Sequence, residues 1–161
     1  AGLCIGLSTP PNARFVKWSN GVRFYKIEPT FQVTIRNTTE QTIVFSRYQT
    51  VLRVFATAGN GRPILDRAPF LSDSRIRLPG VQDIVSLQSG EMIIIPVVIF
   101  GVPSGEMERS QNCWVQAELR CMPQDMWPVA IVRLLKAEGL RMWGGDRVVS
   151  PKQKIVVHME K

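Results

Sequence analysis

The sequence contains little histidine and little cysteine, and this scarcity limits the chemistry that it can perform. Among its 161 residues there is one histidine, His158, and there are three cysteines. A metal site built from several histidines is therefore excluded, and the cysteines lack the C-x-x-C and Cys/His spacings of zinc sites. A Ser-His-Asp or Cys-His catalytic arrangement would have to use His158, which lies in a terminal strand that positions chemistry poorly. The sequence thus predicts a protein that is not an enzyme and that has no metal or cofactor.

The three cysteines leave two arrangements open. Cys113 and Cys121 lie eight residues apart in "CWVQAELRC", and one straight strand of that length would separate them by about 26 Å. They therefore cannot pair with each other. Either Cys4 forms a disulfide with one of them and leaves an odd thiol, or the cysteines are reduced and pack as small apolar side chains.

Long apolar runs and runs of basic residues are also missing. The longest apolar run, "MIIIPVVIFGV" at 92–102, contains Pro96 and is shorter than the ~18 residues that a membrane-spanning helix needs. The net charge is +7, yet no three consecutive residues are basic. Nucleic-acid binders usually concentrate their charge in a run or on one face. The sequence therefore disfavours a nucleic-acid partner and favours an acidic protein or an anionic lipid surface.

Alternating apolar and polar residues dominate what is present. In "TFQVTIRN" the side chains of Phe31, Val33 and Ile35 alternate with polar ones, which is the pattern of a half-buried strand. Similar segments recur between turns rich in Gly, Pro and Asn, and "NTT" at 37–39 is interpreted as such a turn, not as a glycosylation site. The apolar positions predict a core of Phe31, Val33, Ile35, Leu52, Val54, Ile76, Leu119 and Val157.

One segment departs from this pattern. "VAIVRLLKAEGLRMW", at 129–143, favours one or two helical turns that end at Gly139. Many short strands with so little helix predict an all-β fold, an antiparallel β-sandwich with a C-terminal elaboration that contains a short helix.

The order of the strand segments adds a family resemblance. "FQVTIRNTTEQTIVF" is followed by the corner "LQSGE" before a long strand, and "GVPSGE" precedes "CWVQAEL". This succession resembles bacterial immunoglobulin-like modules and is similar to the BsuPI-type intracellular proteinase inhibitor family. The resemblance implies an immunoglobulin-like sandwich. We expect one domain over 1–161, with the sandwich at 14–121 and 152–161 and an elaboration at 122–151 that has no counterpart in the family.

Aromatic and arginine side chains outside the apolar faces are candidates for a protein interface, because both are enriched at interface centres. Trp114 falls on the polar face of its strand, and two further tryptophans flank the elaboration. An alternative is that the elaboration folds over Trp114 and buries all three rings. The predicted interface residues are Trp114, Trp127, Arg141, Trp143 and Arg147.

The sequence therefore predicts a non-enzymatic protein-interaction module, an accessory subunit or scaffold domain. The chain begins with Ala1 instead of Met, so we expect that a leader was cleaved and that the protein acts outside the cytoplasm. Two alternatives remain. One is a protease inhibitor acting through an exposed loop at Pro103, Ser104, Gly105 and Glu106. The other is a carbohydrate-binding module that stacks sugars on Trp127 and Trp143.

Overall fold

A β-sandwich with one short helix forms from the alternating segments. The computed structural model describes residues 2–17, 25–47, 50–59, 61, 63–67, 81–98, 100–101, 110–121, 127–144 and 147–159. Over these residues the mostly β, mostly antiparallel fold predicted from the sequence is confirmed. The strands are β1 (Leu3–Ser8), β2 (Asn12–Lys17), β3 (Tyr25–Glu28), β4 (Phe31–Asn37), β5 (Ile43–Ser46), β6 (Thr50–Ala58), β7 (Pro63–Arg67), β8 (Ile84–Leu87), β9 (Met92–Val97), β10 (Phe100–Gly101), β11 (Ser110–Cys121), β12 (Arg141–Met142), β13 (Arg147–Val149) and β14 (Gln153–Met159), and the helix is α1 (Val129–Ala137).

The first layer is a bent sheet in two parts. Its upper part has the order β1-β4-β9 and its lower part the order β12-β5-β8. The two parts are formed by the same two segments of the chain. One segment runs from β4 into β5 and the other from β8 into β9. The antiparallel pairs β4–β9 and β5–β8 each contain one strand of either segment. The side chain of Asn37 spans the bend. Its Nδ2 donates to the carbonyl oxygens of Gln41 (2.8 Å), Leu87 (2.9 Å) and Gln88 (3.1 Å).

The second layer is wider. Its strand order is β10-β3-β2-β14-β11-β6-β7, and β13 pairs with the end of β11 beyond β14. Strands β6, β11 and β14 form its centre. The chain enters this layer directly from the first one, because β1 pairs with β4 in the first layer and β2 then runs parallel to β14 in the second. Strand β1, which starts at Leu3, is thus paired within the sandwich.

This topology is that of an immunoglobulin-like sandwich. In that fold, the chain crosses between the two sheets so that the second and fifth strands pair in one sheet while the third, sixth and seventh form the other. Strands β4 and β9 correspond to the second and fifth strands of that fold. Strands β6, β11 and β14 correspond to the third, sixth and seventh. The strand pairing therefore agrees with the fold that the resemblance implied.

One continuous core fills the space between the layers. It joins Val33 and Ile35 of the first layer to Leu52, Val115 and Ile155 of the second, all at most 1% exposed. Seven of the eight predicted core residues are buried, which confirms the predicted register; the eighth, Ile76, lies outside the described residues.

The C-terminal elaboration packs on the lower part of the first layer. Helix α1 ends as predicted, with Gly139 at φ +67°. Strand β12 then runs parallel to β5, and the backbone N–H of Trp143 donates to the Val44 carbonyl at 2.8 Å. A small second core beneath the helix contains Val44, Trp127 and Leu135.

None of the three cysteines forms a disulfide, so of the two arrangements that the sequence left open the bridge from Cys4 is not formed. Cys113 and Cys121 are buried on one strand, as the packing alternative required, while Cys4 is exposed. Burial raises the pKa of the Cys113 thiol to about 11. This thiol is therefore neutral at physiological pH.

Candidate functional site

The most exposed apolar strand of the sandwich is β9. Along "MIIIPV" the side chains alternate between the two faces of the sheet. Those that face outward are solvent-exposed, with Met92 at 55% and Ile94 at 58%. Scattered exposed apolar residues are ordinary, but a continuous strip along one strand is characteristic of a contact surface.

Among the strands that the structure describes, the main chain of β9 is paired along one edge only. Among the described strands, β9 pairs with β4 alone, and in this register Pro96 lies opposite Gln32. Proline has no N–H, so it is tolerated where the N–H would point away from the neighbouring strand. Residues two apart in a strand direct their N–H and C=O groups to the same side. The peptide groups of Met92 and Ile94 therefore point away from β4, toward the open edge.

The hydrogen bonds at the corner after β8 independently support this orientation of the Met92 and Ile94 peptide groups away from β4. The Asn37 N–H donates to the Glu91 carbonyl at 3.0 Å. A bond at this position makes the odd-numbered residues of β9 the ones bonded to β4. Gly90, with φ +75°, closes the corner, and the Gln88 N–H donates to the Glu91 carboxylate at 2.8 Å.

An open groove runs along the inward side of the same strand. Its volume is about 370 Å³, and its walls are Phe45 and Val85 of the lower sheet together with Ile93, Ile95 and the adjacent residues of β9. Ile93 and Ile95 are only half-buried. The groove and the outer strip thus offer apolar surface on both faces of one free strand.

One charged side chain, Arg47, lines the groove. Arg47 is exposed, and its backbone N–H donates to the Asp83 carbonyl at 2.7 Å, which fixes the start of its side chain at the groove. The described residues place no carboxylate in a salt bridge with its guanidinium. Over the described part of the chain, the site therefore combines peptide groups without a strand partner, apolar surface and the positive charge of Arg47.

The interface residues predicted from the sequence do not lie together. Trp127 and Trp143 are 4% and 3% exposed, so the prediction that they present their rings at the surface is wrong. The physical reason is that Trp143 packs edge-on against Phe45, with ring centroids 6.3 Å apart, while Trp127 fills the core beneath α1. Their burial also removes the sugar-stacking platform of the carbohydrate-binding alternative.

The other three predicted residues are on the surface, at different places. Arg141 is exposed on β12 of the first layer. Trp114, 40% exposed, and Arg147 lie on the outer face of the second layer, where Arg147 donates to the Glu118 carboxylate at 2.7 Å. The elaboration therefore covers two of the three tryptophans, and Trp114 remains accessible.

The remaining sequence predictions concern chemistry and membranes. His158 is exposed on β14, as its strand phase predicted. Within the described ranges, no cluster of three metal-ligating side chains occurs, and no helix is long and apolar enough to cross a membrane. The inhibitor loop at Pro103, Ser104, Gly105 and Glu106 lies outside the described residues.

The proline in β9 predicts an edge or a bulge at Pro96, but the sequence did not single out the strand as a binding site. "MIIIPV" is apolar on both faces and contains a proline. A central antiparallel strand with one solvent-facing side would show alternation and no proline. An apolar strand that contains proline should therefore be examined as a free edge with a binding role.

Comparisons with known proteins add likeness of shape only. No family model and no curated protein matches the sequence. Among solved structures, the CARDB domain of a Pyrococcus furiosus protein is similar at a TM-score of 0.40 and 12% identity, over 99% of this chain and 96% of that one. A structural-genomics target solved by X-ray crystallography has a TM-score of 0.41 at 9% identity, over 98% and 86% of the two chains. AvmM, which catalyses macrocyclization in alchivemycin A biosynthesis, has a TM-score of 0.33 at 11% identity, over 99% and 89%. Likeness at these scores assigns no activity.

Proposed function

We propose that this protein is a non-enzymatic interaction module, working outside the cytoplasm, that binds an extended segment of another protein along the free edge of β9. The single observation that carries the proposal is the coincidence on one strand of free peptide groups and exposed apolar side chains. Strand addition uses both, since main-chain hydrogen bonds supply affinity and pockets for alternate side chains supply specificity. An unprotected apolar edge would otherwise favour aggregation, which natural proteins avoid.

The geometry dictates the chemistry of the bound segment. Its inward side chains would enter the groove formed by Phe45, Val85 and the isoleucines of β9, and so must be apolar. Its outward side chains would lie beside Met92 and Ile94 on the sheet face. A carboxylate near the end of the segment would pair with Arg47, which lines the groove.

Charge favours a different protein over a second copy of this chain. The net charge is +7, so pairing two copies edge to edge would bring like charges together. It would also bring two Arg47 side chains to one interface without an added carboxylate. An acidic, apolar segment meets neither obstacle.

The protease-inhibitor alternative has no support among the described residues.

The proposal is tested by selecting ligands from phage-displayed random dodecapeptides. We expect selected peptides to carry apolar residues at alternate positions and an Asp or Glu near one end. Ile94→Lys should weaken their binding at least tenfold, because lysine on an exposed edge blocks strand pairing. Val129→Lys is the matched control, since Val129 is 65% exposed on α1 and the change adds the same charge. Binding is measured by titration calorimetry on both variants.

Two outcomes would contradict the proposal. Peptides that bind Ile94→Lys as tightly as the unmodified chain would show that the edge is not their site. A dimer seen by light scattering that dissociates in Ile94→Lys would identify a second copy as the occupant. Arg47→Glu supplies a further check, because it should reverse the preference for an acidic residue without abolishing the apolar pattern.

A further inference from the structure

A second surface, separate from the β9 edge, is formed by the outer face of the second layer. The residues of β11 that point outward are Trp114, Gln116, Glu118 and Arg120, since the odd-numbered residues are buried. On either side, the register brings outward residues of β6, β13, β14 and β2 into rows with them. The face is continuous along the strand from Arg120 to Ser110, about 33 Å at the usual rise per residue.

Positive charge collects on this face. Its cations come from separate strands, and they are Arg14, Lys26, Arg53, Arg120, Arg147 and Lys154. Two carboxylates accompany them among the described side chains: Glu118 pairs with Arg147 at 2.7 Å, and Glu28 pairs with Arg14 at 3.2 Å and with Lys26. The register also puts Asp66 of β7 opposite Phe55. Among the described side chains, six cations therefore share the face with two carboxylates, and those two carboxylates pair with three of the six.

Two aromatic rings lie within the basic surface. Trp114 is 40% exposed and stands directly opposite Lys154 on β14. Phe55 is half-buried on β6, and the guanidinium of Arg53 lies 5.6 Å from its ring centroid. Because Trp114 faces Thr57 and Phe55 faces Gln116 in the β6–β11 register, the two rings are diagonal neighbours. Diagonal neighbours are about 7–8 Å apart.

From this juxtaposition we infer that the outer face of the second layer binds single-stranded nucleic acid, with bases stacked on Trp114 and Phe55 and phosphates on the surrounding cations. Single strands are bound without strong sequence preference by exactly these two elements together, a positively charged track and aromatic side chains on which bases stack. Arginine suits the phosphates because its planar guanidinium can donate two parallel hydrogen bonds to one phosphate group.

The rings distinguish this ligand from other anions. A single strand uses both elements at regular spacing, because each nucleotide presents one phosphate and one base, whereas an acidic protein segment would engage Trp114 only where it carries an apolar side chain. A duplex would present its phosphates but not the faces of its bases. The inference does not depend on the β9 site, which lies in the other layer, so either can fail without the other.

The test uses a fluorescein-labelled oligothymidylate of about 20 nucleotides and the full chain. We expect binding with a slope of log K against log [NaCl] of about −2 to −3, as three or four phosphate contacts on a single strand would give. Trp114→Ala should weaken binding about tenfold. The substitution should also abolish the quenching of tryptophan fluorescence that the oligonucleotide causes in the unmodified chain. Lys154→Glu combined with Arg120→Glu should weaken binding by more than tenfold.

The control is Arg133→Glu combined with Lys136→Glu on α1, which changes the net charge equally at exposed positions outside the face. This variant should lose less than about threefold in affinity, because it reduces only the long-range attraction. Equal losses in the two double variants would overturn the inference, since they would show attraction to net charge alone. Full binding of the oligothymidylate by Trp114→Ala would also overturn the inference. Competition by polyglutamate or by a heparin-like polysaccharide at equal charge concentration would do the same.

Discussion

Trp143→Ala is expected to lower the free energy of unfolding by about 3–5 kcal/mol, the usual cost of truncating a buried aromatic side chain. Trp143 is 3% exposed and contacts the ring of Phe45, which is fully buried at 0%. The truncation would open a cavity where the elaboration meets the main core. For a chain of this length we expect the melting temperature to fall by roughly 10–15 °C. Urea unfolding followed by circular dichroism measures the change.

Two further variants separate packing from other causes. Trp143→Phe keeps an aromatic ring against Phe45 and removes a buried indole N–H that has no hydrogen-bond acceptor among the described residues. It should therefore cost far less than the alanine variant, about 1 kcal/mol or less. Trp114→Ala, the same truncation at a 40% exposed position, should also cost less than about 1 kcal/mol. A stable Trp143→Ala protein that loses affinity for its partner would restore Trp143 as a surface anchor.

Asn37→Ala is expected to destabilise the fold by about 3 kcal/mol, because one side chain holds the bend of the first layer. Asn37 is fully buried, and its amide satisfies the carbonyls of Gln41, Leu87 and Gln88 while its Oδ1 accepts from the Thr39 N–H at 2.9 Å. Its removal loses these four hydrogen bonds, each of which contributes about 0.5–1.5 kcal/mol, and it leaves the buried Leu87 carbonyl without this donor. Thermal and urea unfolding should agree on the loss.

Asn37→Asp is the sharper variant. It places a carboxylate against three carbonyl oxygens, which an ionised group cannot satisfy because it donates no hydrogen bond. We therefore expect it to be at least as destabilised as Asn37→Ala at neutral pH and to recover stability as the pH falls and the carboxyl gains a proton. Asn112→Ala, at an exposed position of β11, is the control and should change stability by less than ~0.5 kcal/mol. Similar losses at Asn37 and Asn112 would refute the role of Asn37.

The parts of the fold that the sequence predicted are those set by local alternation. The positions of Val33 and Leu52 followed from the period of two in their own strands, and the end of α1 followed from one glycine. The turn at 37–39 also behaves as predicted, because the Thr39 N–H bonds the side chain of Asn37. Each of these features depends on neighbours within a few residues, which is why the sequence shows them.

The features that the sequence did not reveal depend on pairing between distant strands. Trp127 and Trp143 were candidates for the surface because they flank the elaboration, which has no counterpart in the family, and only the docking of α1 and β12 on β5 buries them. The argument against nucleic acid rested on charges scattered along the chain. Alternation instead directs cations from six strands to one face, and no run of basic residues is needed for that.

Amide hydrogen exchange along β9 tests most directly the claim that its outer edge is free and accepts a strand. In the unbound protein, the amides of Ile93 and Ile95 should be protected by β4, while those of Met92 and Ile94 should exchange rapidly. Addition of a selected peptide should then slow Met92 and Ile94 and leave the odd-numbered amides unchanged. Protection of Met92 and Ile94 before any peptide is added would show that the edge is already covered, and it would contradict the proposed site.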